Sequence, residues 1–367
     1  MMLSLNLERM IQGKNILITG GTGTIGSALV RKILGYQPAV VRIYSRDETK
    51  QLELLLSLKN PANVRYLIGD IRDSERLGKA FEDIDYVFHT AALKHLPACE
   101  FNPFEAIKTN VIGTQNLIDQ SIAKGVKLVI GISTDKVVNP SSILGTTKLL
   151  AEKLLIAANF SKGRHRTIFS CVRFGNVAGA RGSVIPVFLD QLSRHETLTV
   201  TDPQMTRFIM STDEAVDLVL KAASLAGGGE IFIFTMPSVK VNDIAEAIAG
   251  RFMKVTGETV KIEISGLRPG EKLHEELIVT DELHKTFRYE NLLILASDYG
   301  HLPPGIPLDL SNPPVLSSDA QEPLSQTEIL ELVKPVDRCN ILKWEAQYEP
   351  HALSDCPGQT KVQPPAG

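Results

Sequence analysis

The feature that most constrains this chain is the octapeptide TGGTGTIG at positions 19–26. It lies between an apolar run, Asn15–Thr19 (NILIT), which reads as a buried strand, and an amphipathic stretch at 25–34, which reads as a helix. Gly20, Gly23 and Gly26 recur at every third residue. Glycine permits the tight turn, lets the backbone approach a pyrophosphate, and lets helix and strand pack closely. The helix N-terminus then offers unpaired N–H groups and partial positive charge to an anion. Strand, turn and helix in register predict a dinucleotide cradle lined by Gly20, Thr22, Gly23, Thr24, Ile25 and Gly26.

Such a cradle belongs to a parallel sheet. Short apolar runs at 40–44, Val64–Ile68, Tyr86–His89, 127–131 and Ile168–Arg173 read as further strands, with helical patterns at 47–58, 103–124 and 145–159 between them. Uniformly apolar strands alternating with helices imply a sheet covered on both faces. The expected fold is α/β, a Rossmann-type doubly wound parallel sheet with a smaller C-terminal α/β substrate-binding domain. The first domain is expected over 13–180, with contributions from about 205–235, and the smaller region over 181–335. Later helices are expected at 213–224, 241–252 and Gln326–Val333. Five prolines within 303–314 read as an extended connector, and the polar stretch 344–367 as a disordered tail.

Composition excludes several classes of function. A net charge of −3 leaves no basic footprint for nucleic acid and no polybasic patch for a membrane surface. No run reaches the ~18 apolar residues that a spanning helix needs, and the N-terminus lacks a secretory apolar core. The four cysteines, Cys99, Cys171, Cys339 and Cys356, are widely separated and form no CxxC pair. We therefore expect no metal site, free thiols, a cytoplasmic location, no membrane insertion and no nucleic-acid partner.

The second strand ends in Tyr44-Ser45-Arg46-Asp47. An acidic residue there usually accepts from the ribose 2′-OH of NAD, whereas an arginine pairs with a 2′-phosphate. Ser45 and Arg46 favour NADP. Asp47 keeps NAD open, and Arg46 also reads as a solvated charge at a helix start. Asp70, beside Ile71, reaches the adenine amino group or caps the following turn. Ser133-Thr134-Asp135-Lys136 follows a strand, where ligands of such sheets bind. Lys148 lies twelve residues beyond Lys136, on a helix starting near Gly145, and is placed to bond the nicotinamide ribose. His89 reads as a satisfied core histidine.

Several long segments carry a family resemblance: TGGTGTIG, YSRDE, GDIRD, HTAALKHLPACEFNPFEAIKTNVIGTQN, STDKVVNP, RFGNVAGARGSVIPVF, TDPQMTRFIMS and RPGEKLHEEL. With these the chain resembles an extended short-chain dehydrogenase/reductase. More narrowly, it is similar to the bacterial UDP-N-acetylglucosamine 4,6-dehydratases of polysaccharide biosynthesis. The match runs from about 13 to 280 and fades by about 335. It implies an NADP-dependent lyase that oxidises C4 of the sugar, eliminates water across C5 and C6, and returns the hydride to C6. It also implies Asp135 as acid toward O6 and Lys136 as base toward C5, with Thr134 and Lys148 in the same centre. Lys136 must then be neutral part of the time, which burial and Lys148 are expected to favour and Asp135 to oppose.

The cofactor contacts so implied add Ala91, Ala92 and Lys94. Those to a UDP-sugar are Lys94, His95, Asn176, Arg181, Arg207, Arg268 and Glu271. Arginines suit the two phosphates because the planar fork makes paired bonds. Relatives assemble as dimers or hexamers, so a homo-oligomer is expected.

One departure stands out. The tyrosine of the superfamily's YxxxK arrangement belongs four residues before Lys148, where this sequence has Leu144. Leucine has no proton to exchange, so a tyrosine-based ketone reductase is excluded. Relatives that retain configuration at C5 carry an apolar methionine there, which makes retention the expectation. The rival readings are a nucleotide-sugar epimerase on the same fold and a non-catalytic NADP-bound scaffold or sensor.

Overall fold

The computed structural model describes residues 2–297, 305–309, 316–337 and 339–343. The chain opens with α1 (Met2–Ile11), β1 (Asn15–Thr19), α2 (Thr24–Leu34), β2 (Val40–Ser45), α3 (Glu48–Ser57), β3 (Val64–Ile68), α4 (Ser74–Ala80) and β4 (Tyr86–His89). It continues through α5 (Leu96–Phe101), α6 (Pro103–Ala106), a π-helical turn (Ile107–Ile112), α7 (Gly113–Ala123), β5 (Leu128–Ile132), α8 (Ile143–Ser161) and β6 (Ile168–Arg173). Next come β7 (Asn176–Val177), α9 (Val184–Ser193), β8 (Leu198–Val200), β9 (Thr206–Met210), α10 (Thr212–Leu225), β10 (Ile231–Phe234), β11 (Ser238–Lys240), α11 (Val241–Thr256) and β12 (Ile262–Ile264). Last are β13 (Thr286–Tyr289), β14 (Leu292–Leu295), β15 (Ile306–Pro307) and α12 (Gln326–Val333).

The main sheet has ten strands in the order β15-β13-β14-β10-β6-β5-β4-β1-β2-β3. From β10 to β3 every pairing is parallel. Ile16, Leu17 and Ile18 of β1 are wholly buried, as a strand sandwiched between helix layers must be. Each such side chain contributes about 1.5–3 kcal/mol of burial. The order reverses between β1 and β4, and the crevice at that switch point lies above the carboxyl ends of the strands. A second apolar core, including Phe188, Leu198, Ile248 and Val333, packs α9, β8, α11 and α12 into a smaller lobe.

Three expectations need correction. The helix expected over 103–124 is broken by the π-turn. There the Asn110 side chain bonds both the N–H and the carbonyl of Leu93 and also the Thr147 hydroxyl, and Gly113 sits close against Ile71. The helix carrying Lys148 starts at Ile143, because the Ser142 hydroxyl caps it through the Gly145 N–H. The reading of four free thiols holds for Cys99 and Cys171, but Cys339 is disulfide-bonded. Strands β10, β13 and β14 were not expected, and β13 and β14 extend the sheet antiparallel. The connector falls partly outside the described residues; within it, Ile306–Pro307 pairs with β13. The stretch 344–367 lies outside them altogether. No described helix is long and apolar enough to cross a membrane.

Candidate active site

The glycine-rich turn is built on close backbone approach. Gly20 has φ +67° and donates its N–H to the Tyr44 carbonyl at 2.8 Å. A Cβ on Gly20 would lie 2.7 Å from the Ala91 backbone, and one on Gly26 would lie 2.4 Å from the Gly20 carbonyl oxygen. Gly23 is the N-cap of α2 and supplies no capping side chain, so the first-turn amides of Thr24, Ile25 and Gly26 stay available to an anion. Thr22 is buried in the turn.

At the end of β2, Ser45 is buried and its hydroxyl accepts from the Gln51 amide at 3.0 Å. The Asp47 carboxylate caps α3 through the Lys50 N–H at 3.0 Å and pairs with the Lys50 ammonium at 2.6 Å. It is thereby committed away from the crevice. Arg46 remains 53% exposed, with one ion pair to Asp70 at 3.5 Å. Asp70 accepts from the Arg72 N–H and guanidinium, so here it caps its turn. Ile71 is buried beside it.

The catalytic candidates converge at the end of β5. Asp135 is fully buried, and its Oδ1 accepts from the Thr134 hydroxyl and from the Lys136 ammonium, each at 2.9 Å. Its Oδ2 is buried and has no hydrogen-bond partner. Gly175 permits this fit, since a Cβ there would crowd both Phe208 and that oxygen. The Lys136 ammonium also donates to Asn176 Oδ1 at 3.4 Å and lies 3.5 Å from Glu275 Oε1. Burial works to lower its pKa, but the Asp135 and Glu275 carboxylates reverse that and leave it above the ordinary lysine value. Burial and Asp135 thus act on Lys136 in the opposed senses expected, but Asp135, joined by Glu275, outweighs burial, and Lys148 is not among the groups that act on it. Lys148 donates instead to the Ile132 carbonyl, and burial pushes its own pKa down. Leu144 is buried in a small apolar cluster with Cys99, Ala106 and Leu93.

The profile of the polysaccharide biosynthesis protein family matches residues 16–297. The chain belongs to that family. A UDP-N-acetylglucosamine 4,6-dehydratase (inverting) of Campylobacter jejuni is 46% identical over 284 residues, covering 77% of this chain and 82% of that one. A UDP-glucose 4-epimerase of Rickettsia bellii is 42% identical over 280 residues, covering 75% and 81%. The X-ray structure of Pen from Bacillus thuringiensis matches with a TM-score of 0.83 at 43% identity, covering 89% of this chain and 98% of that one.

Within this polysaccharide biosynthesis protein, the residues expected to hold a nucleotide sugar fall into separate groups. Asn176 joins the catalytic cluster. Arg181 sits on the glycine-rich turn: its N–H donates to the Thr24 hydroxyl and its guanidinium to the Thr22 carbonyl at 2.6 Å. Lys94 donates to the Arg181 carbonyl, and His95 packs against Gly182, so both belong to the same loop. Burial and the neighbouring Arg181 charge lower the Lys94 pKa. Arg207 is buried, with its guanidinium bonded to the carbonyls of Thr206, Leu273 and Lys272. Three of its five donors are thus taken by backbone, and Glu271 lies 3.9 Å from Nη2. Arg268 is exposed and its side chain has no partner among the described residues, while Glu271 receives the Arg268 N–H. His89 is the core histidine expected, held between the Thr19 and Thr114 hydroxyls.

Glu275 was missed. It lies inside RPGEKLHEEL, where paired glutamates gave no sign of which one turns inward. No cluster of metal-ligating residues occurs among the described residues.

Proposed function

We propose that this chain is an NADP-dependent UDP-N-acetylglucosamine 4,6-dehydratase. One observation carries the reading: a buried Asp135 carboxylate and the Lys136 ammonium, 2.9 Å apart, at the carboxyl end of β5, with only β4 between it and the strand that leads into the glycine cradle. The close glycine approaches and the unpaired first-turn amides suit a dinucleotide pyrophosphate. Exposed Arg46, with Asp47 already committed, suits a 2′-phosphate. A nicotinamide bound there would supply the acceptor for a hydride from C4 of the sugar and its donor at C6.

The protein's own groups do the rest. Lys148 and the turn hold the cofactor. Thr134 fixes Asp135, which delivers a proton to O6 as the hydroxyl leaves. Lys136 takes the proton at C5, which is acidified by the C4 ketone. Leu144 supplies no proton acceptor, so the 4-OH proton passes to Asp135 or to an ordered water. Arg268 and Glu271 face the nucleotide from the outer rim, and Arg181, Lys94 and His95 close over the cradle.

The test is incubation with UDP-N-acetylglucosamine and mass spectrometry. Loss of one water supports the reading. Isomerisation without change in mass would replace it with the epimerase reading that the Rickettsia relative brings, and no change at all would leave a cofactor-bound scaffold. Lys136→Ala is expected to abolish turnover with cofactor binding intact. The apolar Leu144 favours retention at C5, although the Campylobacter relative is an inverting enzyme; ring couplings in the product's NMR spectrum separate the two. We place the protein in the cytoplasm as a homo-oligomer, consistent with the exposed Phe101 and Phe104.

A further inference from the structure

Glu152 and Glu230 show how a buried carboxylate is satisfied in this fold, and even Asp135, whose Oδ2 is unbonded, accepts two bonds on Oδ1. Glu152 accepts from Arg173 at 2.7 Å on one oxygen and from Ser133 at 2.6 Å on the other. Glu230 accepts from Gly227, Gly228 and Ser170. Such bonds are what burial of a charge requires. Glu275 is different. It is 2% exposed, yet Oε2 has no hydrogen-bond partner and Oε1 has only Lys136, at 3.5 Å. The Lys272 ammonium stands 3.8 Å from Oε2.

The backbone of Glu275 is nonetheless fixed. Its N–H donates to the Ser318 hydroxyl at 3.0 Å, the Ser318 N–H donates to its carbonyl at 2.9 Å, and Ser318 in turn bonds the Thr206 hydroxyl. A side chain held this firmly and left this poorly solvated has its carboxylate destabilised relative to its neutral form. The groups facing it are Lys136, Asp135, Arg207 and Lys272. Burial, assisted by Asp135 and opposed by the three cations, raises its pKa.

We propose that Glu275 is the proton store for Lys136, receiving the ammonium proton so that the free amine can act on the sugar. The step balances. One N–H bond of Lys136 breaks and one O–H bond forms on Glu275, which turns a buried ion pair into a neutral amine and a neutral acid. The amine then takes the C5 proton and gives it back to C5 as the hydride returns to C6; the amine so freed regains the proton held on Glu275, which restores the ion pair. Glu275 touches no substrate atom in this scheme. It is a positioning residue that acts through Lys136, and the inference rests on the dehydratase reading above.

Two measurements test it. In the ligand-free protein, acylation of Lys136 is followed by mass spectrometry across pH. Glu275→Gln moves that labelling limb down by about one pH unit, because one of the two anions is gone. An unchanged limb overturns the proposal whatever the substrate proves to be. In turnover, Glu275→Gln lowers kcat by about 100-fold near neutrality with little change in KM. Its rate climbs as pH rises and the amine loses its proton to solvent, and reduced nicotinamide accumulates because C4 oxidation outruns C5 deprotonation. Glu275→Asp recovers part of the rate. Wild-type turnover in Glu275→Gln, or equal loss in both variants with no reduced cofactor building up, overturns it. If the wild-type chain dehydrates no UDP-hexose while the labelling limb still shifts, the function assignment has failed and the Lys136–Glu275 coupling has not.

Discussion

The guanidinium of Arg181 donates to the carbonyl of Thr22 at 2.6 Å, so the loop after β7 is fastened to the glycine-rich turn. Lys94 holds the same loop from the other side through the Arg181 carbonyl at 2.7 Å. A strap in that place bears on how long a dinucleotide stays. Arg181→Ala is expected to weaken dinucleotide binding by about 10-fold, the worth of one charge-assisted bond. Fluorescence titration of the bound nicotinamide checks this. An unchanged affinity would return Arg181 to the nucleotide-sugar side.

Beneath the loop that carries Asp135 and Lys136, Arg173 pairs with Glu152 and Glu282, and both Arg173 and Glu152 are essentially inaccessible. Glu152 also accepts from Ser133, two residues before Asp135. Removing Glu152 leaves the buried Arg173 with Glu282 as its remaining counter-charge. Glu152→Gln should cost about 1.5–3 kcal/mol of stability, read from urea denaturation. A loss below about 1 kcal/mol would show that the pair is not the strut described.

Two glycines should respond in opposite directions. Gly26→Ala puts a Cβ 2.4 Å from the Gly20 carbonyl oxygen, where backbone cannot yield, and is expected to abolish dinucleotide binding. Gly250 lies in the exposed face of α11, and a Cβ added there would meet nothing within 4 Å, so Gly250→Ala should stabilise the protein by about 1 kcal/mol. Binding assays on the first and thermal melts on the second decide.

His89 sets a pH dependence. Wholly buried beside Lys148, it is held neutral, its pKa lowered from 6.5 to about 3, mainly by burial. Above 6.5 the folded and unfolded chains are both neutral here, and the group adds no slope. Between 6.5 and about 3 the unfolded chain binds a proton that the folded one refuses, so stability falls by about 1.4 kcal/mol per pH unit. Denaturation of the wild type and of His89→Asn from pH 7 to pH 5 checks this; the variant should show the shallower fall.

The nucleotide cradle was legible because its glycines answer a steric demand that no other residue meets. The strands β1, β4, β5 and β6 were legible because burial on both faces leaves apolar runs, and β2 and β3 from the apolar residues flanking Arg42 and Arg65. The hairpin of β13 and β14 was not. Its connection is Glu290-Asn291, with Glu290 at φ +52°, a conformation that usually announces itself through glycine. The π-turn was hidden because its apolar spacing continues that of the helices on either side. Arg207 reads as a phosphate ligand from its residue type, yet it sits in a strand buried at every position, which points to an internal role. Glu275 could not be singled out, because only the tertiary fold decides which of two adjacent glutamates faces the lysine.

The segment around 268–276 is sewn to the segment around 138–143. Lys272 donates to the Val138 carbonyl, Ser141 to the Gly270 carbonyl, and Asn139 to the Glu276 carboxylate. The wall that supplies Glu275 and the floor that supplies Asp135 and Lys136 are therefore one assembled piece before any sugar arrives. A guest therefore meets a preassembled wall and floor instead of drawing two halves together.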